Sequence, residues 1–220
     1  MEHYEEMIKT IIVDDHPLVI EGLKRILNSE DIKVSVEGEA TDSRKLFNAL
    51  ETISPDIIIL DIELPEKNGL DILKDLRKRY LQIPVLMLSM YPADRFAVRS
   101  FQAGASGYLT KKSIPEEIEK ALKMIVYENK KYITAEVAEA LAEQIDDHSG
   151  QILHKALSDR EYQVMCLIAA GREISEIAKL LSLGVRTVHT YRARMMDKMN
   201  LKSNVDIAHY AISNHLINQP

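Results

Sequence analysis

The chain has 220 residues, 46% hydrophobic and 28% charged, with a net charge of −6 and a single cysteine. Such values favour a globular protein of two domains and exclude an internal disulfide. No run approaches the roughly 18 apolar residues of a membrane span, and the acidic N-terminal stretch MEHYEEMIK lacks the apolar run of a signal peptide, so a reducing, cytoplasmic setting is expected.

The charge is uneven. Residues 154–220 carry nine Lys and Arg against six Asp and Glu, whereas the remainder carries 19 against 28. An acidic front and a basic tail point to a nucleic acid as partner of the tail.

Along the chain, short apolar runs predict strands at 8–13, 32–38, 56–60, 84–88 and 106–109. Amphipathic stretches between them predict helices at about 17–28, 42–51, 69–79, 93–103 and 114–127. Pro17 marks one helix start, and Ser113 with Pro115 marks another. Strands alternating with helices of this length predict βαβ units around a parallel sheet, an α/β fold. Asp14 and Asp15 end the first strand, Asp61 the third, Ser89 the fourth, and Lys111 lies just past the fifth. The carboxyl edge of such a sheet is where open α/β folds place their chemistry.

Three clustered carboxylates need a counter-charge. Mg²⁺, or Mn²⁺, meets that need with oxygen ligands and keeps waters that phosphate can replace. Lys111 would add a fixed positive charge and Ser89 a hydroxyl, which leaves Asp61 as a nucleophile able to form an aspartyl-phosphate. His16, beside the pair Asp14–Asp15, is expected to be a structural part of the loop.

The motifs VDDHPLVIEGL, LDIELPEKNGLDIL, VLMLSMYPADR and AGASGYLTK resemble the receiver domains of bacterial two-component response regulators, across roughly residues 8–128. The resemblance implies a five-stranded, doubly wound parallel fold with Asp61 as phosphoacceptor and a sensor histidine kinase as donor. It implies metal ligation by Asp15 and Asp61 directly, by Asp14 through water, and by the backbone carbonyl of Glu63. Ser89 matches the family's switch hydroxyl, Tyr108 its switch aromatic and Lys111 its lysine, while Pro65 and Gly69 match the turn after the phosphorylated Asp. Lys112 stands where many receivers have a proline. The Asp/Ser/Lys set also resembles that of haloacid-dehalogenase-like phosphatases. Those enzymes carry a DxD motif with the nucleophile on the first strand, where this chain has adjacent aspartates.

Residues 134–145 predict one more helix, capped by Thr134, and DDHSGQ at 146–151 reads as an interdomain linker. Four helices follow at 159–170, 173–181, 185–199 and 204–216, with no strand pattern. Ile174, Ile177, Ala178 and Leu181 share one helix face, as do Val188, Tyr191, Met195 and Met199. With those faces buried, Arg186, His189, Thr190 and Ala193 point outward, flanked by Arg194 and Lys198. A basic helix after a tight turn is what a helix-turn-helix places in the major groove.

The run LSDREYQVMCLIAAGREISEIAKLLSLGVRTVHTYRARMMDKMNLKS strongly resembles the LuxR-type DNA-binding domain of NarL/FixJ-type response regulators, across roughly residues 155–217. The resemblance implies an all-α, four-helix helix-turn-helix domain acting on double-stranded DNA. His189, Thr190 and Ala193 would face base edges, and Arg186, Arg194 and Lys198 would contact phosphates, with Thr187 in the same DNA-binding set. Val205 and Ile212 fall on the helix expected to dimerise, or equally in the core. Gly184 stands where many relatives have a capping Ser or Thr, and Ala193 can offer a base only a methyl contact.

The expected organisation is a receiver domain at 1–130, a helical linker region at 131–154 and a DNA-binding domain at 155–220. The expected function is a transcription factor switched by phosphorylation of Asp61, a homodimer when phosphorylated. Its only turnover would be Mg²⁺-dependent self-phosphorylation from a phosphodonor and slow self-dephosphorylation. A protein-binding adaptor that has lost DNA affinity is the competing expectation for the tail.

Overall fold

The computed structural model describes residues 7–28, 33–146, 153–214 and 216–217. The chain forms two compact units, Met1–Gln144 and Ile145–Pro220. In the first, five strands make one parallel sheet in the order β2-β1-β3-β4-β5. They are β1 (Ile8–Val13), β2 (Val34–Ala40), β3 (Ile57–Asp61), β4 (Val85–Ser89) and β5 (Gly107–Thr110). The helices are α1 (Pro17–Leu27), α2 (Ser43–Ala49), α3 (Gly69–Arg79), α4 (Ala93–Gln102) and α5 (Ile114–Leu122), with α6 (Ala135–Asp146) after them.

Every residue of β3 (IIILD) and β4 (VLMLS) is buried, as expected for central strands covered on both faces. The strand order reverses at β1, which lies between β2 and β3. The carboxyl ends of β1 and β3 therefore flank a crevice of the kind where doubly wound sheets bind ligands.

Three strands end one residue later than the apolar runs suggest, and the pairing shows why. Asp61 is in register with Leu88, and Ser89 with Thr110, so the ladder itself holds the polar residues that end β3 and β4. The edge strand β2 is displaced by two residues from its expected span. Its register with β1 jumps from Thr10↔Val36 to Ile11↔Gly38, a bulge that leaves Glu37 unpaired in the ladder. Helix α5 also departs from expectation: residues Lys123–Tyr127 continue it as a wider π-helical turn.

Thr134 Oγ1 accepts the Val137 N–H at 3.3 Å, which caps α6 as expected. Tyr132, in the segment expected to be linker, is buried, and its N–H donates to Ser106 O at 2.8 Å beside β5. The expected linker 146–151 lies, apart from Asp146, outside the described residues.

The second unit opens with a short 3-10 turn, Leu153–Ala156, followed by α7 (Asp159–Ala169), α8 (Ile174–Leu180), α9 (Val185–Met199) and α10 (Asn204–Ser213). Ile177, Ala178, Leu181, Val188, Met195 and Met199 are buried, so the predicted apolar faces of α8 and α9 are the packed ones. Helix α9 ends at Asn200, which takes the left-handed conformation (φ 54°) common at helix C-termini. Helix α10 stops at Ser213, short of the predicted 216.

Candidate functional site

Asp61 is the last residue of β3 and is fully buried. Its Oδ2 accepts from Lys111 Nζ at 2.9 Å, while its Oδ1, also buried, has no hydrogen-bond partner. Lys111 Nζ donates as well to Asp14 Oδ2 at 2.7 Å, and its backbone N–H is fixed on Ser89 O at 2.7 Å. One ammonium therefore bridges the ends of β1 and β3 from the end of β5.

Asp14 is nearly as buried as Asp61, and its Oδ1 accepts the His16 backbone N–H at 2.8 Å. The His16 ring nitrogen Nδ1 lies 3.1 Å from Asp14 Oδ1 and 3.0 Å from Asp15 Oδ1. Asp14, Asp15, His16 and Asp61 each offer a ligand atom, all within 4.8 Å of one another.

Burial raises the Asp61 carboxyl to about 7; Lys111 opposes the shift, and the charges of Asp14 and Glu63 add to it. Burial draws the Lys111 ammonium down, but Asp61 and Asp14 more than offset this and leave it above its ordinary value. A carboxylate so disfavoured, with an orphaned oxygen beside two more acids, fits a divalent cation. Glu63, half-buried two residues beyond Asp61, adds to the same negative field.

The loop after β3 is closed tightly by Gly69. A Cβ at Gly69 would stand 2.1 Å from Asp61 O and 2.8 Å from Ile62 Cα, and the Gly69 N–H donates to Ile62 O at 2.9 Å. Only a glycine lets the start of α3 come this close to the backbone at the end of β3.

Ser89 and Tyr108 meet on the backbone of one residue, Tyr91. Ser89 Oγ accepts the Tyr91 N–H at 3.0 Å, and Tyr108 OH donates to Tyr91 O at 2.9 Å. Both side chains are buried.

In the second unit, Arg186, Thr187, His189, Thr190, Ala193, Arg194 and Lys198 are all exposed on α9. Thr190 Oγ1 donates back to Arg186 O at 3.0 Å, which leaves its oxygen as an outward acceptor. Lys198 differs from the rest, because its Nζ donates to Glu161 Oε2 at 2.6 Å. Glu161 is buried and forms a capping box with Ser158 at the start of α7. Burial pushes its carboxyl up, but Lys198 and Ser158 outweigh that and hold it below its ordinary value. On α10, Val205 is 76% exposed and Ile212 half-buried, while Ile207 and Ala211 fill the core.

Residues 10–123 match the response regulator receiver domain, and residues 155–211 match the bacterial regulatory proteins of the luxR family. The chain belongs to the two-component response regulators. The response regulator UvrY of Escherichia coli K12 is 34% identical over 214 residues, which span 96% of this chain and 97% of UvrY. A structure of the Salmonella typhimurium response regulator RcsB, described for its conformational dynamism in DNA interaction, is similar with a TM-score of 0.65. It is 25% identical, with 94% of this chain and 98% of that one covered. A structure of two RcsB dimers bound to two parallel DNAs gives a TM-score of 0.59 at 25% identity, covering 94% and 99%.

Three residues of this regulator escaped the reading of its sequence. Tyr91 is engaged by Ser89 and Tyr108 through its backbone, which no side-chain pattern reveals. His16 looked like a loop residue and proves to face both aspartates. Glu161 was legible in principle, since S-D-R-E before an apolar run is a capping-box signature.

Proposed function

We propose that Asp61 accepts a phosphoryl group from the phosphohistidine of a sensor histidine kinase, and that this modification controls DNA binding by the second unit as a homodimer. The observation that carries the reading is Asp61 Oδ1, a buried acceptor without a partner, opposite a lysine already fixed on Oδ2. As the Asp61 carboxylate bonds to phosphorus, the P–N bond breaks and the imidazole keeps its electron pair. A bound Mg²⁺ or Mn²⁺ supplies charge neutralisation to the phosphoryl oxygens; Asp15, Asp61, the Glu63 carbonyl and, through water, Asp14 are the groups that fit it.

Lys111 loses its partner on Asp61 in the product and follows the charge onto the phosphate. Ser89 Oγ accepts from the Tyr91 N–H, so its own proton remains available for a phosphoryl oxygen. A shift of Ser89 towards the phosphate pulls on the Tyr91 N–H, and Tyr91 through its carbonyl also anchors Tyr108, so the shift reaches the start of α4. The switch is thus a local gain of about −1.5 to −2 charges acting through the backbone of Tyr91.

In the second unit, Arg186, Arg194 and Lys198 serve phosphates, and Thr187, His189, Thr190 and Ala193 face the groove. The RcsB dimers on DNA support this mode of action. Val205, exposed on α10, is the better placed of the two dimerisation candidates. Domain limits of 1–130, 131–154 and 155–220, self-phosphorylation from a small phosphodonor, slow self-dephosphorylation and a cytoplasmic location belong to the same proposal. Among the described residues no helix is long and apolar enough to cross a membrane.

The test is incubation of the full chain with Mg²⁺ and acetyl phosphate, reading mass and oligomeric state together. One labile phosphoryl group and dimerisation are expected, with neither in Asp61→Asn. Equal labelling of that variant would remove Asp61 from the role.

A further inference from the structure

His16 takes no part in the phosphotransfer scheme; its side chain is 61% exposed, at the mouth of the acidic pocket, but its backbone is fixed there. Its backbone N–H donates to Asp14 Oδ1 at 2.8 Å, and its carbonyl accepts from Val19 and Ile20 at the start of α1. The ring is therefore carried on the same junction that positions Asp14 and Asp15.

Its Nδ1 stands 3.1 Å from Asp14 Oδ1 and 3.0 Å from Asp15 Oδ1. In an octahedral site with bonds of about 2.1 Å, neighbouring ligands lie about 3 Å apart and opposite ones about 4.2 Å. The 3.0 Å between His16 Nδ1 and Asp15 Oδ1 is the spacing of neighbouring ligands, and Asp14 and Asp61 offer atoms within 4.8 Å of both. Asp61 adds an independent sign of a missing ligand, since its Oδ1 is fully buried and has no hydrogen-bond partner.

We propose that His16 Nδ1 is a ligand of the receiver cation and tilts this pocket from Mg²⁺ towards first-row transition ions. The inference rests on the receiver pocket holding a divalent cation. Mg²⁺ takes oxygen ligands and keeps its waters, so an imidazole adds little for it. Ions later in the first row gain from an imidazole, and the order of affinity rises from Mn²⁺ to Co²⁺ and Ni²⁺.

The experiment uses the metal-free full chain and its His16→Gln variant, titrated with Mg²⁺ and with Co²⁺, plus pulsed electron paramagnetic resonance of bound Mn²⁺. Losing a ligand should cost at least as much as losing an outer-shell partner, so Co²⁺ affinity falls about tenfold or more in the variant. Mg²⁺ affinity changes far less, and a nitrogen coupling seen with Mn²⁺ in the wild type disappears. Binding of the ions without nitrogen coupling, or equal losses for Mg²⁺ and Co²⁺, would overturn the role of His16 while keeping the acidic pocket. A wild-type chain that binds none of these ions would overturn the pocket as well.

Discussion

The two units present their functional side chains in opposite ways. In the receiver, Asp14, Asp61, Ser89 and Tyr108 are buried, and Lys111 is 9% exposed and already holds two carboxylates. On α9, the side chains expected to meet DNA stand in solvent, and Lys198 alone among them is shown in an ion pair. Phosphoryl transfer depends on charges set in place where the surroundings cannot rearrange. DNA binding depends on exposed cations that displace counterions from phosphates, with base edges read by neighbours. Substitutions in the receiver pocket should therefore alter stability and its pH dependence. Substitutions on the face of α9, Lys198 apart, should register only when DNA is present.

The largest effect is expected from Gly69→Ala. The added methyl would stand 2.1 Å from Asp61 O, a backbone atom held in the sheet that cannot yield cheaply. A loss of about 3 kcal/mol or more is expected, the upper end for overpacking, read as the midpoint of urea unfolding. A variant of wild-type stability would mean that the loop after β3 can open without disturbing the strand, contrary to the preorganised half of the comparison.

Asp61→Asn tests the same half by pH. Burial, opposed by Lys111, raises the folded carboxyl to about 7 from an ordinary 3.8. Between those values the native state binds more protons than the unfolded one, so the wild type loses stability as pH rises from about 4 to about 7. In metal-free protein the Asn variant should be more stable than the wild type at pH 8, and the gain should vanish below about pH 4. Thermal melts at both pH values measure this. A gain that does not depend on pH would show that the buried carboxylate carries no titration penalty.

Lys198 is where the comparison can be sharpened, because it belongs to both descriptions. Glu161→Gln should cost roughly 1–2 kcal/mol at pH 7, below the value for a fully buried pair because Lys198 is 41% exposed. The Glu161 carboxyl is depressed on folding, so its contribution is present above its ordinary 4.5 and fades as pH falls through the lower folded value. Lys198→Ala should lose stability and also flatten the salt dependence of DNA binding by about one unit of log–log slope. Arg194→Ala should flatten the slope alike while leaving unfolding unchanged. If Arg194→Ala also unfolds the unit, the face of α9 is not the uncommitted surface that its exposure suggests.

Legibility followed the range of the forces involved. The runs IIIL and VLML declare buried strands by themselves, because strands covered on both faces need no alternation. Parallel strands deliver their carboxyl ends to one edge, so Asp14, Asp61, Ser89 and Lys111 could be gathered from chain order alone. Strand β2 was placed two residues early because its polar sequence VSVEGEA leaves the register to a bulge opposite β1. Ser113 marks the start of α5 as expected, yet its Oγ donates to Thr110 O at 3.0 Å, a local bond that takes the place of a side-chain cap. The partnership of Lys198 with Glu161 joins residues 37 apart in sequence, and only packing of α7 against α9 brings them together.

The smallest expected effect lies at Gly184, the N-cap of α9, where the missing cap could be read from the sequence. Its backbone is extended (φ −70°, ψ 142°), and no side chain caps the helix. An added Cβ would meet Thr187 Oγ1 at 3.6 Å, an ordinary contact, so a serine fits. Its hydroxyl could accept the Thr187 N–H, which now bonds only to Gly184 O at 2.9 Å. Gly184→Ser should stabilise the unit by about a few tenths of a kcal/mol, with the salt slope on DNA unchanged. A stabilised protein with several-fold weaker DNA binding would mean that DNA comes against the Gly184 backbone itself. The turn between α8 and α9 would then join the exposed cations as part of the interface, and the glycine would be serving DNA contact at the expense of the helix cap.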